Sequence, residues 1–132
     1  MKHQYATSSV ARGKAAELRS MAWLIEAGFE VMIPASDDSR VDVVYRKVDD
    51  RGMHGPWLSA QIKRVYRKNG HPTVNLVRGS TGQRYSAIDA DYLFAVDGNK
   101  MWAIPFHMVA QYSRIRLSSK YEGYKKELVA AT

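Results

Sequence analysis

The sequence predicts one α/β domain: a central mixed β-sheet flanked by helices, with a hairpin at its heart and the first helix packed on it. Three observations carry this. Apolar residues recur at helical spacing after a Ser/Thr cluster near the N-terminus. Two short β-branched strands follow, joined through a Gly- and Asp-rich turn. A third apolar run, Tyr92–Val96, is closed by Gly98-Asn99 and answered by Met101–Ile104. At 132 residues and 14.9 kDa, with 45% hydrophobic and 25% charged residues, the chain suits a single domain, residues 1–132, with a core of its own.

Residues 1–6 read as a short lead. Thr7, Ser8 or Ser9 caps a helix running to about Ala27 and closed by Gly28, with Leu18, Met21, Ala22 and Ile25 as its buried stripe. Glu17 falls at the margin of that stripe, and Gly13 one turn earlier leaves room beside its carboxylate. Phe29–Ile33 is the first strand, stopped by Pro34, and Ala35–Arg40 is a polar loop. Val41–Lys47 is the second strand. Asp42 near its start is either at a wet strand end or held there to bind something.

The turn Val48–Pro56 folds this strand back onto Trp57–Tyr66 as an antiparallel hairpin. Leu58, Ala60 and Ile62 share one face of that third strand, while Gln61 and Lys63 stand side by side on the other. The strand polarity brings Asp42 to the same end as Gln61 and Lys63. Asn69–Gln83 is loop-rich and basic, with a short strand at Thr73–Val77. Tyr85–Ala90 suits a helical turn. Pro105 opens a helix to about Tyr112, Ser113–Ser118 is a short strand, and Tyr121–Ala131 is a closing helix.

The net charge is +7, and its placement is informative. No Asp or Glu occurs between Arg51 and Ile88, where Arg51, Lys63, Arg64, Arg67, Lys68, Arg78 and Arg84 lie. An acid-free block around one strand points to a polyanion, with nucleic acid favoured over a merely solvated basic face. No apolar run approaches the roughly 20 residues a bilayer span needs, and the N-terminus lacks the apolar core of a secretory signal. With no cysteine there is neither a disulfide framework nor a cysteine-ligated zinc site. A soluble cytoplasmic protein with no membrane partner is the expectation.

Helix Glu17 after Gly13, strand Asp42, the hairpin to Gln61-Ile62-Lys63, and then Tyr85, Asp89, Asp91–Val96 and an aromatic strand ending Ile104-Pro105 stand in a recognisable order. Together they resemble the PD-(D/E)XK nuclease superfamily, in the compact Gln-X-Lys type similar to its intron-homing endonuclease and Holliday-junction resolvase branches. The resemblance covers roughly residues 8–110. It implies a restriction-endonuclease-like core and a metal-dependent DNA endonuclease, structure-specific or site-specific, of bacterial, archaeal or phage origin. Catalysis would rest on Glu17, Asp42, Gln61 and Lys63. Glu17, Asp42, Gln61 and the Ile62 carbonyl would hold Mg²⁺, with Mn²⁺ able to substitute, because a hard cation prefers oxygen ligands. Two-strand cutting implies a homodimer or homotetramer acting on duplex or branched DNA. Arg64, Arg67, Lys68, Arg78 and Arg84 are the phosphate-contact candidates, with Arg12, Lys14 and Arg40 behind them.

Three departures stand against the pattern. Gln61 replaces the usual acid, removing one negative charge and weakening the case for a second ion. Val41, not proline, precedes Asp42. The long helix that follows the lysine strand in typical junction resolvases is replaced by a loop region. Gln61 therefore leaves open a catalytically inactive DNA-binding protein on the same fold. The histidines at 3, 54, 71 and 107 show no His-Glu-X-X-His pattern, which argues against a zinc hydrolase, and His71 beside Asn69 lacks flanking acids for a histidine-metal nuclease. No Gly-rich phosphate loop or Gly-X-Ser-X-Gly is present. Tyr66, Tyr85, Tyr92 and Trp102 suit the core better than base stacking.

Overall fold

A computed structural model describes residues 8–36, 38–78 and 83–128, with positions 78, 83 and 84 described by backbone alone. The lead at residues 1–6 lies outside this range. Helix α1 spans Ser9–Glu26, and Ser8 is its cap, accepting from the Ala11 N–H at 3.1 Å. Gly28 ends the helix in the left-handed region (φ 90°), a conformation that costs glycine little.

Strands β1 (Phe29–Met32), β2 (Val43–Lys47) and β3 (Leu58–Arg64) form an antiparallel meander. The chain then leaves this sheet at Val65 and builds β4 (Tyr66–Lys68) and β5 (His71–Asn75), followed by β6 (Val77–Arg78) and β7 (Gln83–Arg84). It returns as β8 (Tyr92–Asp97), parallel to β3, and turns at Gly98-Asn99 into β9 (Lys100–Pro105). Strand β10 (Arg114–Arg116) joins β5, and β11 (Lys125–Glu127) joins β9.

The result is a mixed six-stranded sheet of order β1-β2-β3-β8-β9-β11, a three-stranded sheet of order β10-β5-β4, and a β6-β7 pair. The expected mixed sheet with its central hairpin is present. The parallel pair β3–β8 needs a crossover, which is usually a helix. Here strands β4–β7 occupy that connection, and the start of β3 is fastened to the residue before β8: Asp91 Oδ2 accepts from the Ser59 N–H at 2.8 Å.

The two faces of the main sheet carry two cores. On one, Ala16 and Leu24 of α1 pack on Val43, Tyr45, Ala60, Ile62, Phe94 and Met101. On the other, Leu93, Ala95, Trp102 and Ile104 meet Val74 and Ile115 of the small sheet with Tyr85 and Phe106. Strand parity produces this division, since Leu93 and Ala95 alternate with Phe94 and Val96 along β8. No helix among the described residues is long and apolar enough to cross a membrane.

Four elements differ from expectation. The buried face of α1 is Ala16, Ser20 and Leu24, while Leu18, Ala22 and Ile25 are exposed. Ser20 enters the core because its Oγ donates to the Ala16 carbonyl at 3.0 Å, so the helix can lie close to the sheet without an unsatisfied hydroxyl. The Trp57–Tyr66 strand breaks at Val65, whose N–H bonds Val96 (2.8 Å) before Tyr66 enters the small sheet. The helix expected after Pro105 is a 3-10 turn, Phe106–Met108. The closing helix is instead a 3-10 segment, Ser119–Tyr124, followed by β11, with residues 129–131 outside the described range. Gly123 weakens a helix there, and the open edge of β9 offers a hydrogen-bonding ladder instead.

Candidate active site

The register Val43↔Ala60 places Asp42 opposite Gln61. Asp42 lies one residue before β2, and its N–H still bonds Ala60 (2.9 Å), so the ladder holds its backbone in place. Its Oδ2 accepts from Gln61 Nε2 at 2.8 Å and from the Ile62 N–H at 2.7 Å. Gln61 itself is only 7% exposed, so the expected pairing with Lys63 is not a solvated strand face.

Glu17 faces Asp42 across a cleft of about 240 Å³ that both residues line with Lys14, Met21, Ile33 and Ser39. Lys14 bridges Glu17 at 2.8 Å, an i,i+3 pair on α1. Lys63 Nζ donates to the Val77 carbonyl at 3.4 Å and lies 5.4 Å from the centre of the Tyr85 ring. Burial pushes the pKa of Asp42 up from its ordinary 3.8; the Ile62 N–H pulls it back, Glu17 raises it again, and Lys63 and Lys14 lower it. The net direction is upward. Of the four side chains foreseen as catalytic, Glu17 from α1 and Gln61 and Lys63 from β3 thus converge on the fourth, the half-buried carboxylate of Asp42 at the start of β2.

These residues fit a single hard cation. Asp42 and Glu17 line one cleft with their carboxylates, while Gln61, with its amide oxygen, and Ile62, with its carbonyl, stand behind Asp42 and do not line that cleft. The charge on Asp42 is disfavoured both by burial and by Glu17, two penalties that a cation relieves. Among the described residues no three His, Asp or Glu side chains are grouped for a metal, so the anionic donors stop at two.

The phosphate-contact candidates divide. Arg67 pairs with Asp97 and Arg40 with Asp89, each at 2.9 Å, and Lys14 pairs with Glu17. Arg40 thereby ties the loop before Asp42 to the one before β8, since Asp89 Oδ2 also accepts from the Ser86 N–H. Arg64 is half-buried at the end of β3, and Lys68 and Arg12 are exposed. The side chains of Arg78 and Arg84 lie outside the described residues. Sequence reasoning missed Tyr85 as the floor under Lys63, for which no local signal exists, and Arg114 and Arg116 of β10. Their alternation about Ile115 was the available signal, overlooked because the acid-free block ends 26 residues earlier.

No family model matches the chain, and no curated protein matches it. Among solved structures it is similar to a bacterial homing endonuclease, I-Ssp6803I, at 23% identity and a TM-score of 0.69, over 89% of this chain and 88% of that one. The likeness shows an α/β fold shared over nearly the whole of both chains.

Proposed function

We propose that this protein is a Mg²⁺-dependent, site-specific DNA endonuclease with a PD-(D/E)XK-type site. One observation carries the reading: a half-buried carboxylate, Asp42, is bonded to the strand bearing Gln61, Ile62 and Lys63 and shares an open cleft with Glu17. The structural neighbour's description as a homing endonuclease supports it, as does the cationic block.

Mg²⁺ bound there supplies Lewis-acid polarisation of a phosphoryl oxygen and a more acidic water. The chain's own residues do the rest. Gln61 and the Ile62 N–H fix the Asp42 carboxylate by two bonds to one oxygen. Lys63, held against Val77 and Tyr85, places a compact positive charge beside Asp42, where it stabilises charge developing on the phosphate. Glu17 adds the second carboxylate, with its orientation set by Lys14. Cutting both strands calls for two such sites, so the working species is at least a homodimer.

The test is cleavage of plasmid, linear duplex and a four-way junction with Mg²⁺ or Mn²⁺. Asp42→Ala and Lys63→Ala should each lower the rate by at least about a hundredfold while leaving the fold and most DNA affinity in place. Preference for the junction would make it a resolvase instead. Tight binding without cutting on a library of long targets would leave a binding protein on a nuclease fold.

A further inference from the structure

The face of the small sheet turned away from the core carries a charge pattern that the cleavage site does not use. Val74 and Ile115 are opposite one another and point into the core. By strand alternation the other face presents Arg114 and Arg116 on β10 and Lys68 on β4, with Thr73 buried between them. Register orders these cations along β5. Arg114 is opposite Asn75, Arg116 opposite Thr73, and Lys68 opposite His71.

Alternate residues of a strand are about 6.8 Å apart, which is the step from Arg114 to Arg116 along β10; Lys68 is one step further along but on the far side of β5, about 9.6 Å across the sheet. The next step beyond Asn75 is the turn whose Val77 carbonyl receives Lys63 Nζ, and Asn75 Oδ1 caps that turn through the Val77 N–H. The cations therefore form a diagonal band that starts on β10 near the turn holding the proposed catalytic lysine and crosses β5 to β4. None of Lys68, Arg114 and Arg116 has an acid on its own sheet, because β4, β5 and β10 contain no Asp or Glu. Nor does any of them take part in the ion pairs formed among the described residues. They border a shallow depression of about 280 Å³.

We infer that this face is a phosphate track: Lys68, Arg114 and Arg116 hold phosphates of one strand of duplex DNA and lead it to Lys63. The inference rests on the DNA-cleavage reading above and adds to it a binding surface on a separate sheet. The spacing favours a nucleic-acid strand, whose charges repeat every 3.4 Å or so along the duplex axis, so that the step of about 6.8 Å from Arg114 to Arg116 spans two repeats. A lipid surface would ask for large apolar side chains beside the cations, and the outward face of this sheet has only Tyr66, partly buried.

The test is a triple variant, Lys68→Gln with Arg114→Gln and Arg116→Gln. Its control changes the same charge elsewhere: Lys100→Gln with Lys120→Gln and Lys126→Gln. Affinity for a fluorescent duplex is measured against salt, and single-turnover cleavage at saturating protein is measured alongside. The track variant should weaken binding about tenfold or more and flatten the log–log salt slope by about two to three, since each phosphate contact contributes roughly 0.9. Its saturating cleavage rate should stay within about twofold of the parent, because the three side chains position DNA without touching the reacting atoms.

An unchanged slope, or an equal change in the control variant, overturns the track while cleavage lost through Asp42→Ala keeps the endonuclease reading intact. A saturating rate that falls with affinity overturns it too, by placing these residues in the chemistry. A parent protein that neither binds nor cuts DNA ends both readings together.

Discussion

Asp42 is an acid kept where acids are uncomfortable, and that fixes its pH behaviour. Its folded pKa is raised above the ordinary 3.8, first by burial and then by Glu17. Below 3.8 the group is protonated in both folded and unfolded chains, and its contribution to stability is fully present. As pH rises through the raised value the unfolded chain has already released its proton, and that contribution is lost. The metal-free protein should therefore lose melting temperature across the window just above 3.8. Asp42→Asn should not show this loss, and it should melt no lower than the parent at neutral pH, because Asn still accepts the Ile62 N–H. Mg²⁺ at a hundred times its Kd should restore about 2.7 kcal/mol to the parent and nothing to the variant, with a chelator reversing the gain. Thermal melts with and without Mg²⁺ decide it; a variant stabilised as much as the parent would remove Asp42 from the proposed metal site. This cluster was legible in the sequence because a hairpin and strand parity suffice to place Asp42, Gln61 and Lys63. The Lys63 contacts with Val77 and Tyr85 were not, since they depend on how the crossover folds.

At the scale of the element, α1 shows why hydrophobicity alone chose the wrong face. Leu18 and Ile25 are large and apolar yet stand 58% and 61% exposed, while Leu24 is 1% exposed at the end of a row whose other members are the small Ala16 and Ser20. Close approach to a sheet rewards small side chains along the buried row beside one large one. Leu24→Ala should therefore cost about 2–5 kcal/mol and Ile25→Ala less than about 1 kcal/mol, as read from denaturant midpoints. The reverse order would mean that the helix lies on the sheet by its other face. The end of the chain teaches a related lesson: Tyr124 and Leu128 suggest a helix one turn apart, but Lys125↔Trp102 pairing to the edge of β9 prevails. Local spacing cannot announce an edge that is built 20 residues earlier.

Over the whole molecule, the excess of positive charge collects on the crossover side. The seven cations of the acid-free block equal the entire net charge, and the β3–β8 connection carries most of them. DNA affinity should consequently fall steeply between about 50 and 200 mM salt. A titration that stays flat over that range would argue for some other partner. The main sheet was legible in outline because its strands are close in sequence. The small sheet was hidden, because β10 comes back to β5 from about 40 residues away and neither strand has apolar alternation long enough to stand out.

Val65 is the joint at which one strand passes from the main sheet to the small one, with Lys63 two residues before it and Lys68 three after. Because side chains alternate, adding or deleting a single residue there would swap the outward and inward faces of Tyr66–Lys68 without disturbing anything upstream. The joint is thus rigid in length and tolerant in content beyond it. If the protein cuts DNA as proposed, a lineage could exchange the polar residues of the small sheet and acquire a taste for different targets, while Asp42, Gln61 and Lys63, upstream of the joint, passed unchanged from parent to descendant.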